Sequence, residues 1–140
     1  MARIRTIKPE FWTSEQVMNC SPLSRLLFIG SWNFADDKGR MTLSEKKLKA
    51  QIFPSDDISS DEIHRMVLEL AENDLITLYS VENIDYIQIN GWKHQRIDKP
   101  QKSRYPNILG TFDEDSANGK RMVGVGMEWN GRDKNQQRVE

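Results

Sequence analysis

The sequence contains little cysteine, no long apolar run and almost no net charge, and each shortage excludes a class of protein. Cys20 is the single cysteine among 140 residues, so neither an intramolecular disulfide nor a cysteine-based metal site can form. No stretch of about 20 apolar residues occurs, so the sequence predicts no membrane-spanning segment. The formal net charge of −1 argues against nucleic-acid binding by total charge, although a local basic patch can still bind.

Motifs that carry catalysis are also missing. His64 and His94 have no cysteine or aspartate partners at the spacing of a metal site, and no phosphate-binding GxxxxGK[ST] loop is present. Asp36 and Asp37, in the stretch DDKG, are explained most simply as turn formers. We therefore expect a protein that is not an enzyme and has no cofactor and no metal. Cys20 is predicted to be a small buried side chain, and a single cysteine fits a reducing, cytoplasmic compartment.

Three stretches show the apolar spacing of amphipathic helices. The first begins at the cap Ser21, with Pro22 at the first helical position. The second begins after Ser44 and ends before Pro54, and the third begins at the cap Ser60.

Strand-forming residues surround the second and third helices. The stretch GRMTL predicts a short strand at residues 41–43, and residues 76–89 predict a β-hairpin interrupted at 81–85. Helix, short strand, helix, helix and hairpin is the order of a winged helix-turn-helix. We therefore predict an α+β fold with three helices and a β-hairpin wing, in which the short strand pairs with the hairpin.

The chain divides into four predicted parts. Residues 1–20 form a basic N-terminal arm with a short helical turn, and residues 21–92 form the winged-helix domain. Residues 93–106, the exit segment, gather five lysines and arginines against one acid. Residues 107–140 are polar and lack apolar periodicity, so they are predicted to form a weakly ordered tail.

Four stretches along about residues 1–106 carry a resemblance to a known family: MARIRTIKPEFWTSEQV, SPLSRLLFIGSWNFADDKGRM, LAENDLITLY and YIQINGWKHQRIDKPQKSRYP. In this order they resemble the N-terminal domain of phage and prophage replication initiation proteins of the replisome-organiser type, comparable to the origin-binding proteins of lambdoid phages. The resemblance implies a winged-helix fold, binding of double-stranded DNA, and recruitment of replication machinery in the cytoplasm of a bacterial host cell.

Double-stranded DNA binding needs cations that reach phosphates. The third predicted helix suits this poorly, because Glu69 and Glu72 are expected to face outward beside Arg65, whereas the second helix has a basic outer side. The N-terminal arm and the exit segment are the stronger candidates, since basic arms can follow a groove. The candidate DNA contacts are Arg3, Arg5, Lys8, Lys46, Lys47, Lys49, Arg65, Lys93, His94, Arg96, Lys99, Lys102 and Arg104.

A second interpretation from another class stays open. The near-neutral charge and the acidic third helix also suit a protein-binding module. Such a module would be an adaptor for replisome parts, or an inhibitor of a host defence complex such as a CRISPR effector. Two copies could also pair through Phe11, Trp12 and Val17, which the sequence does not decide.

Overall fold

The computed structural model describes residues 2–95, 97 and 99–112 of the chain. This part is an α+β fold of four helices and one small antiparallel sheet, compatible with a winged-helix layout. The elements in chain order are a 3₁₀ turn at Pro9–Thr13, α1 (Glu15–Met18), α2 (Pro22–Phe34), β1 (Arg40–Thr42), α3 (Glu45–Ile52), α4 (Ser60–Glu72), β2 (Ile76–Val81), β3 (Ile84–Ile89) and a second 3₁₀ turn at Trp92–His94. Helix α1 is the short helical turn that was expected in the N-terminal arm.

Serine side chains cap the three longer helices. The Ser21 hydroxyl accepts a hydrogen bond from the backbone N–H of Ser24, and the Ser44 hydroxyl caps α3 in the same way, as predicted. The predicted cap of α4 is wrong by one residue, because Ser59 and not Ser60 occupies that position. Ser59 and Glu62 exchange hydrogen bonds in a capping box. A cap at Ser60 would place Ile63 three residues later, and an apolar side chain cannot return the hydrogen bond.

The sheet has the strand order β1-β3-β2, with both pairs antiparallel. Ile87 of β3 pairs with Met41 of β1 and with Leu78 of β2, so the short strand does join the hairpin as predicted. The hairpin turn is shorter than the predicted interruption, because Val81 and Ile84 still pair. Only residues 82–83 form the turn, and both have positive φ, as two-residue hairpin turns commonly require.

The core lies between the helices and the inner face of the sheet. Trp32 of α2, Leu48 of α3 and Ile63 of α4 are at most 1% exposed, and Ile87 and Ile89 of β3 close the core from the sheet side. Burial of these side chains is the main favourable contribution to folding.

Cys20 is buried beside this core, as predicted. Burial and the nearby Glu69 carboxylate raise the pKa of its thiol, which therefore stays protonated at neutral pH. Among the helices of the described residues, none combines the length and apolar character that a membrane crossing needs.

The exit segment crosses the outer face of the sheet. Arg40 donates from Nη1 to the Tyr105 carbonyl oxygen at 3.3 Å, and the Tyr79 hydroxyl donates to the Pro106 carbonyl oxygen at 2.6 Å. The rings of Tyr105 and Tyr86 lie 5.9 Å apart, and Tyr86 is only 8% exposed. The segment thus covers a sheet face that would otherwise be open to solvent.

The predicted tail begins in the structure with a hydrogen-bonded turn. The backbone N–H of Asn107 donates to the Thr111 carbonyl oxygen at 2.7 Å, and that of Gly110 donates to the Asn107 carbonyl oxygen at 2.8 Å. The rest of the predicted tail, residues 113–140, lies outside the described residues.

Candidate nucleic-acid interface

The two cationic ends of the domain meet at one buried carboxylate, that of Asp37. Its side chain is 1% exposed and follows α2 in the turn before β1. Oxygen Oδ1 lies 3.3 Å from Nε of Arg3 and 3.3 Å from the guanidinium of Arg5. Oxygen Oδ2 accepts a 2.9 Å hydrogen bond from the backbone N–H of Gln101 in the exit segment. One turn residue therefore holds both the N-terminal arm and the exit segment.

Arg5, a predicted DNA contact, is turned inward. Its side chain is 4% exposed, and it donates to the carbonyl oxygens of Trp32 at 3.0 Å, of Ala35 at 2.9 Å and of Asp36 at 3.2 Å, besides Asp37. A guanidinium whose donors are already used inside the fold cannot bind a phosphate without leaving those partners. In an extended arm, alternate residues share a face. The face that carries Arg3 and Arg5 packs on the protein and is not directed at a DNA groove.

In the rest of the arm, fewer cationic side chains are exposed to solvent than predicted. Arg3 is bound to Asp37 and its side chain is 34% exposed, and its backbone exchanges two 2.8 Å hydrogen bonds with Asn33. Lys8 is exposed just before the 3₁₀ turn. Of the three predicted cations in the arm, Lys8 alone points freely into solvent in the described structure.

Burial acts to raise the pKa of Asp37. The hydrogen bond from the Gln101 backbone and the charges of Arg3 and Arg5 outweigh that effect and hold the pKa of this carboxyl below its ordinary value. Asp37 is therefore ionised throughout the physiological range and keeps its two arginines in place.

Gln95 joins the arm to the exit segment, and His94 supports it. The Gln95 side-chain oxygen accepts from the Thr6 backbone N–H at 3.0 Å, and its amide nitrogen donates to the Thr6 carbonyl oxygen at 2.8 Å. His94 Nδ1 lies 2.7 Å from the Gly91 carbonyl oxygen, Nε2 lies 2.7 Å from the Gln95 amide nitrogen, and the ring packs on Trp32. These partners assign the ring hydrogen to Nδ1. His94, a predicted DNA contact, thus packs on Trp32 and positions Gln95 in the structure.

Among the described residues of the exit segment, the cationic side chains are exposed and hydrogen bonds hold parts of the backbone. Ser103 is buried and its hydroxyl donates to the Asp36 carboxylate, while Lys99, Lys102 and Arg104 are exposed. Lys93 is also exposed, in the 3₁₀ turn that begins the segment, and predicted Arg96 lies outside the described residues. Four predicted cations of the exit segment, Lys93, Lys99, Lys102 and Arg104, are therefore exposed among its described residues.

Of the predicted cations on α3 and α4, three are exposed and one is hydrogen-bonded inside the fold. Lys46 and Lys47 in the first turn of α3 and Arg65 on α4 are exposed. Lys49 is not a free cation, because Nζ donates to the carbonyl oxygens of Phe53 at 2.9 Å and Asp56 at 2.7 Å. Its charge stabilises the end of α3, where carbonyl groups lack helical partners. Lys49 is thus a predicted DNA contact whose ammonium group already has partners inside the fold.

Glu69 of α4 was expected to face outward, and the structure uses it inside the fold instead. Glu69 accepts hydrogen bonds from the Ser24 hydroxyl and from the backbone and hydroxyl of Ser21, at the N-terminus of α2. The hydrogen bond from Ser24 lowers the pKa of Glu69. Glu62 is bound in the capping box, where the Ser59 N–H lowers its pKa. The outer face of α4 is therefore less acidic than predicted, with Glu72 still exposed.

The residues predicted for pairing of two copies are mostly inside the fold. Val17 is 2% exposed, and Phe11 packs against Phe28 and Trp32 with ring centroids 6.1 and 5.5 Å apart. Trp12 is 52% exposed and is the member of that set still open to a partner.

Sequence reasoning missed Asp37 and Gln95 as the residues that join the N-terminal arm to the exit segment. Two adjacent aspartates in a turn give no sign that one of them is buried beneath two arginines. No group of three or more histidine, cysteine, aspartate or glutamate side chains among the described residues could hold a metal ion. No family model, curated protein or solved structure matches the chain, so its geometry carries the functional argument.

Proposed function

We propose that this protein binds the sugar-phosphate backbone of double-stranded DNA through its exit segment, and that it acts in the initiation of phage-type replication or its control. The replication role rests on the sequence resemblance along about residues 1–106. The DNA-binding role is argued from charge and geometry, within an α+β fold that is compatible with a winged helix.

The observation that carries the proposal is the arrangement of Lys99, Lys102 and Arg104. All three side chains are exposed, while the chain between them is anchored by the Gln101 N–H and the Ser103 hydroxyl. Cations on a fixed backbone lose less conformational freedom on binding than cations on a mobile tail. This favours phosphate contacts over a purely solubilising role.

The arginines of the N-terminal arm have a different role in this proposal. Arg5 and Arg3 neutralise Asp37, so that this carboxylate does not repel phosphates beneath the exit segment. Lys8 and Lys93 lie within two residues of Thr6 and Gln95, which are hydrogen-bonded to each other, and can extend the cationic surface there. In this proposal, the arm mainly neutralises the buried carboxylate beside the contact surface.

Helix α4 is a secondary contact in this proposal. Its exposed side chains include Asp61, Arg65, Leu68 and Glu72, so its outer face carries both signs of charge and one apolar residue. Such a face gives little net attraction to phosphates. We therefore expect binding to be weakly dependent on base sequence, since base readout usually needs a helix in the major groove.

The test compares two charge-reversal variants with the same change in net charge. One carries Lys99→Glu, Lys102→Glu and Arg104→Glu, and the matched control carries Lys46→Glu, Lys47→Glu and Arg65→Glu. At low salt, the exit-segment variant should lose at least about tenfold more affinity for a random duplex than the control. Circular dichroism establishes that both variants fold. Equal losses, or a larger loss in the control, would contradict the exit segment as the contact surface.

A second candidate function, a protein-binding module, is favoured by one specific observation. The arm turns Arg3 and Arg5 inward on Asp37 and leaves Ile4 96% exposed, so its outer side at Ile4 is apolar. In this candidate the protein is a replisome adaptor or an inhibitor of a host defence complex. Absence of duplex binding at about 50 mM salt would favour this candidate over the first.

A further inference from the structure

The N-terminal arm is joined to the first residues of the exit segment by one side-chain amide, that of Gln95. Its oxygen accepts hydrogen bonds from the Thr6 N–H at 3.0 Å and from the Thr6 hydroxyl at 3.2 Å, and its nitrogen donates to the Thr6 carbonyl oxygen at 2.8 Å. One amide therefore pairs with both backbone groups of Thr6, as a residue of a neighbouring strand does in a sheet. Gln95 is 8% exposed and Thr6 is exposed, so a buried side chain holds a surface segment.

The residue before Thr6 holds the arm at a second point. Arg5 donates to carbonyl oxygens at the end of α2, and its guanidinium carbon lies 4.9 Å from the centre of the Trp92 ring. Trp92 in turn donates from Nε1 to the Asp37 carbonyl oxygen at 3.0 Å. Arg5 therefore contacts both the end of α2 and the 3₁₀ turn that leads into the exit segment.

The turn after α2 holds the exit segment further along the chain. Asp37 binds the arm through Oδ1 and accepts from the Gln101 N–H through Oδ2 at 2.9 Å. Asp36 accepts from backbone N–H groups of its own turn through Oδ1 and from the Ser103 hydroxyl through Oδ2. The arm and the backbone on both sides of Lys102 thus share one support.

The backbone that carries the cations has a conformation that needs such support. Lys99 has a φ of +54°, in the left-handed region that residues with a side chain rarely occupy. A conformation of this kind persists where surrounding contacts fix it. The contacts on either side of Lys99 include that of Gln95 with the arm and that of Gln101 with Asp37, the carboxylate that binds Arg5.

We propose that residues 3–6 of the N-terminal arm act as a strap that holds the exit segment in the conformation that binds a phosphate backbone, and that Gln95 is a positioning residue for this binding. The strap role rests on the proposed function and adds to it a requirement for neutral groups that touch no phosphate. Release of the strap leaves every cation of the exit segment in place but frees the backbone between them. Binding then has to restore that order, which costs conformational entropy and lowers the affinity for DNA.

Two neutral substitutions break the pairing from opposite sides, Gln95→Leu in the exit segment and Thr6→Pro in the arm. Leucine has no amide and proline has no N–H, while the net charge of the protein stays the same. Each variant should bind a random duplex about fivefold to tenfold more weakly at low salt. The slope of the logarithm of affinity against that of salt concentration should equal that of the original protein, because the same cations still meet phosphates.

A second readout follows the backbone without DNA. Trypsin should cleave after Lys102 and Arg104 at least about fivefold faster in both variants, because cleavage requires local release of the backbone. Mass spectrometry of the fragments identifies these two cuts, and circular dichroism establishes that the variants fold.

The matched control is Gln16→Leu. Its amide also makes a long-range hydrogen bond, to the Asn73 carbonyl oxygen at 3.1 Å, but it joins α1 to the end of α4 and involves no residue of the exit segment. This variant should change neither duplex affinity nor cleavage after Lys102 and Arg104. The double variant of Gln95→Leu with Thr6→Pro should bind as weakly as either single variant, because both remove the same pairing.

The outcomes separate the strap role from the proposed function. Duplex affinity that both variants leave unchanged would overturn the strap role alone, as would unchanged trypsin cleavage. A weaker affinity with a shallower salt slope would also overturn it, because phosphate contacts themselves would then have been lost. A further loss of affinity in the double variant would contradict action through the pairing. Absence of duplex binding by the original protein would overturn the proposed function, and the strap role with it.

Discussion

The guanidinium of Arg5 lies 3.3 Å from the carboxylate of Asp37, and the two side chains are 4% and 1% exposed. The same carboxylate also holds the backbone of Gln101. The N-terminal arm and the exit segment, 96 residues apart along the chain at these points, are thus joined through a single turn residue.

Replacement Asp37→Asn should destabilise the protein by about 3 kcal/mol. The amide keeps the shape of the carboxylate but leaves the buried Arg5 charge without its counterion, which is costly in a poorly solvated site. Urea unfolding measures the change. The control is Asp57→Asn in the exposed loop before α4, where a change within about 0.5 kcal/mol is expected. Equal effects of both substitutions would contradict the role assigned to Asp37.

The cost of Asp37→Asn should depend on pH. The pKa of Asp37 is lower in the folded than in the unfolded protein, so its contribution to stability is present above about pH 4 and is lost as pH falls through the folded pKa. The free energies of unfolding of the original protein and the variant should therefore converge as the pH falls below about 4. A difference that stays constant over this range would show that Asp37 does not act through its charge.

Replacement Glu69→Gln should destabilise the protein by about 2 kcal/mol, whereas Glu72→Gln on the same helix should change little. Glu69 accepts hydrogen bonds from Ser21 and Ser24 as an ionised group, and such bonds are worth roughly 1.5–3 kcal/mol. Glu72 is exposed. Thermal and urea unfolding of the two variants provide the comparison. Similar stability of both would contradict a stabilising role for the hydrogen bonds between Glu69 of α4 and the start of α2.

Replacement Gly39→Ala should destabilise the protein clearly more than Gly91→Ala. Both glycines have positive φ, of +78° and +69°, so each alanine carries about 1–2 kcal/mol of backbone strain. At Gly39 the added Cβ would also come within 2.8 Å of the Trp92 ring, while at Gly91 it meets nothing within 4 Å. Unfolding measurements that give equal losses would contradict the close packing of Trp92 on the turn.

Local sequence signals predicted the secondary structure well. Serine caps and Pro22 locate the start of α2, and Ser44 locates the start of α3. The order of elements predicted the pairing of the short strand with the hairpin. These features depend on residues near one another in the sequence, where propensity and capping rules apply directly.

The candidate interface was harder to predict because it depends on contacts between distant residues. The charge of Arg5 suggested a DNA contact, but its environment is set by Asp37 and by the end of α2. Glu69 was expected to be solvated, yet it caps a helix that precedes it by about 45 residues. Charge on a sequence does not reveal whether a partner inside the fold already neutralises it.

The salt dependence of duplex DNA affinity tests the central claim most directly. The logarithm of the binding constant should fall linearly with the logarithm of salt concentration, because bound cations displace condensed counterions. In the variant with Lys99→Glu, Lys102→Glu and Arg104→Glu, the slope should be shallower by about 2.7, at about 0.9 for each lost phosphate contact. An unchanged slope in that variant, or no duplex binding by the original protein at about 50 mM salt, would contradict the account.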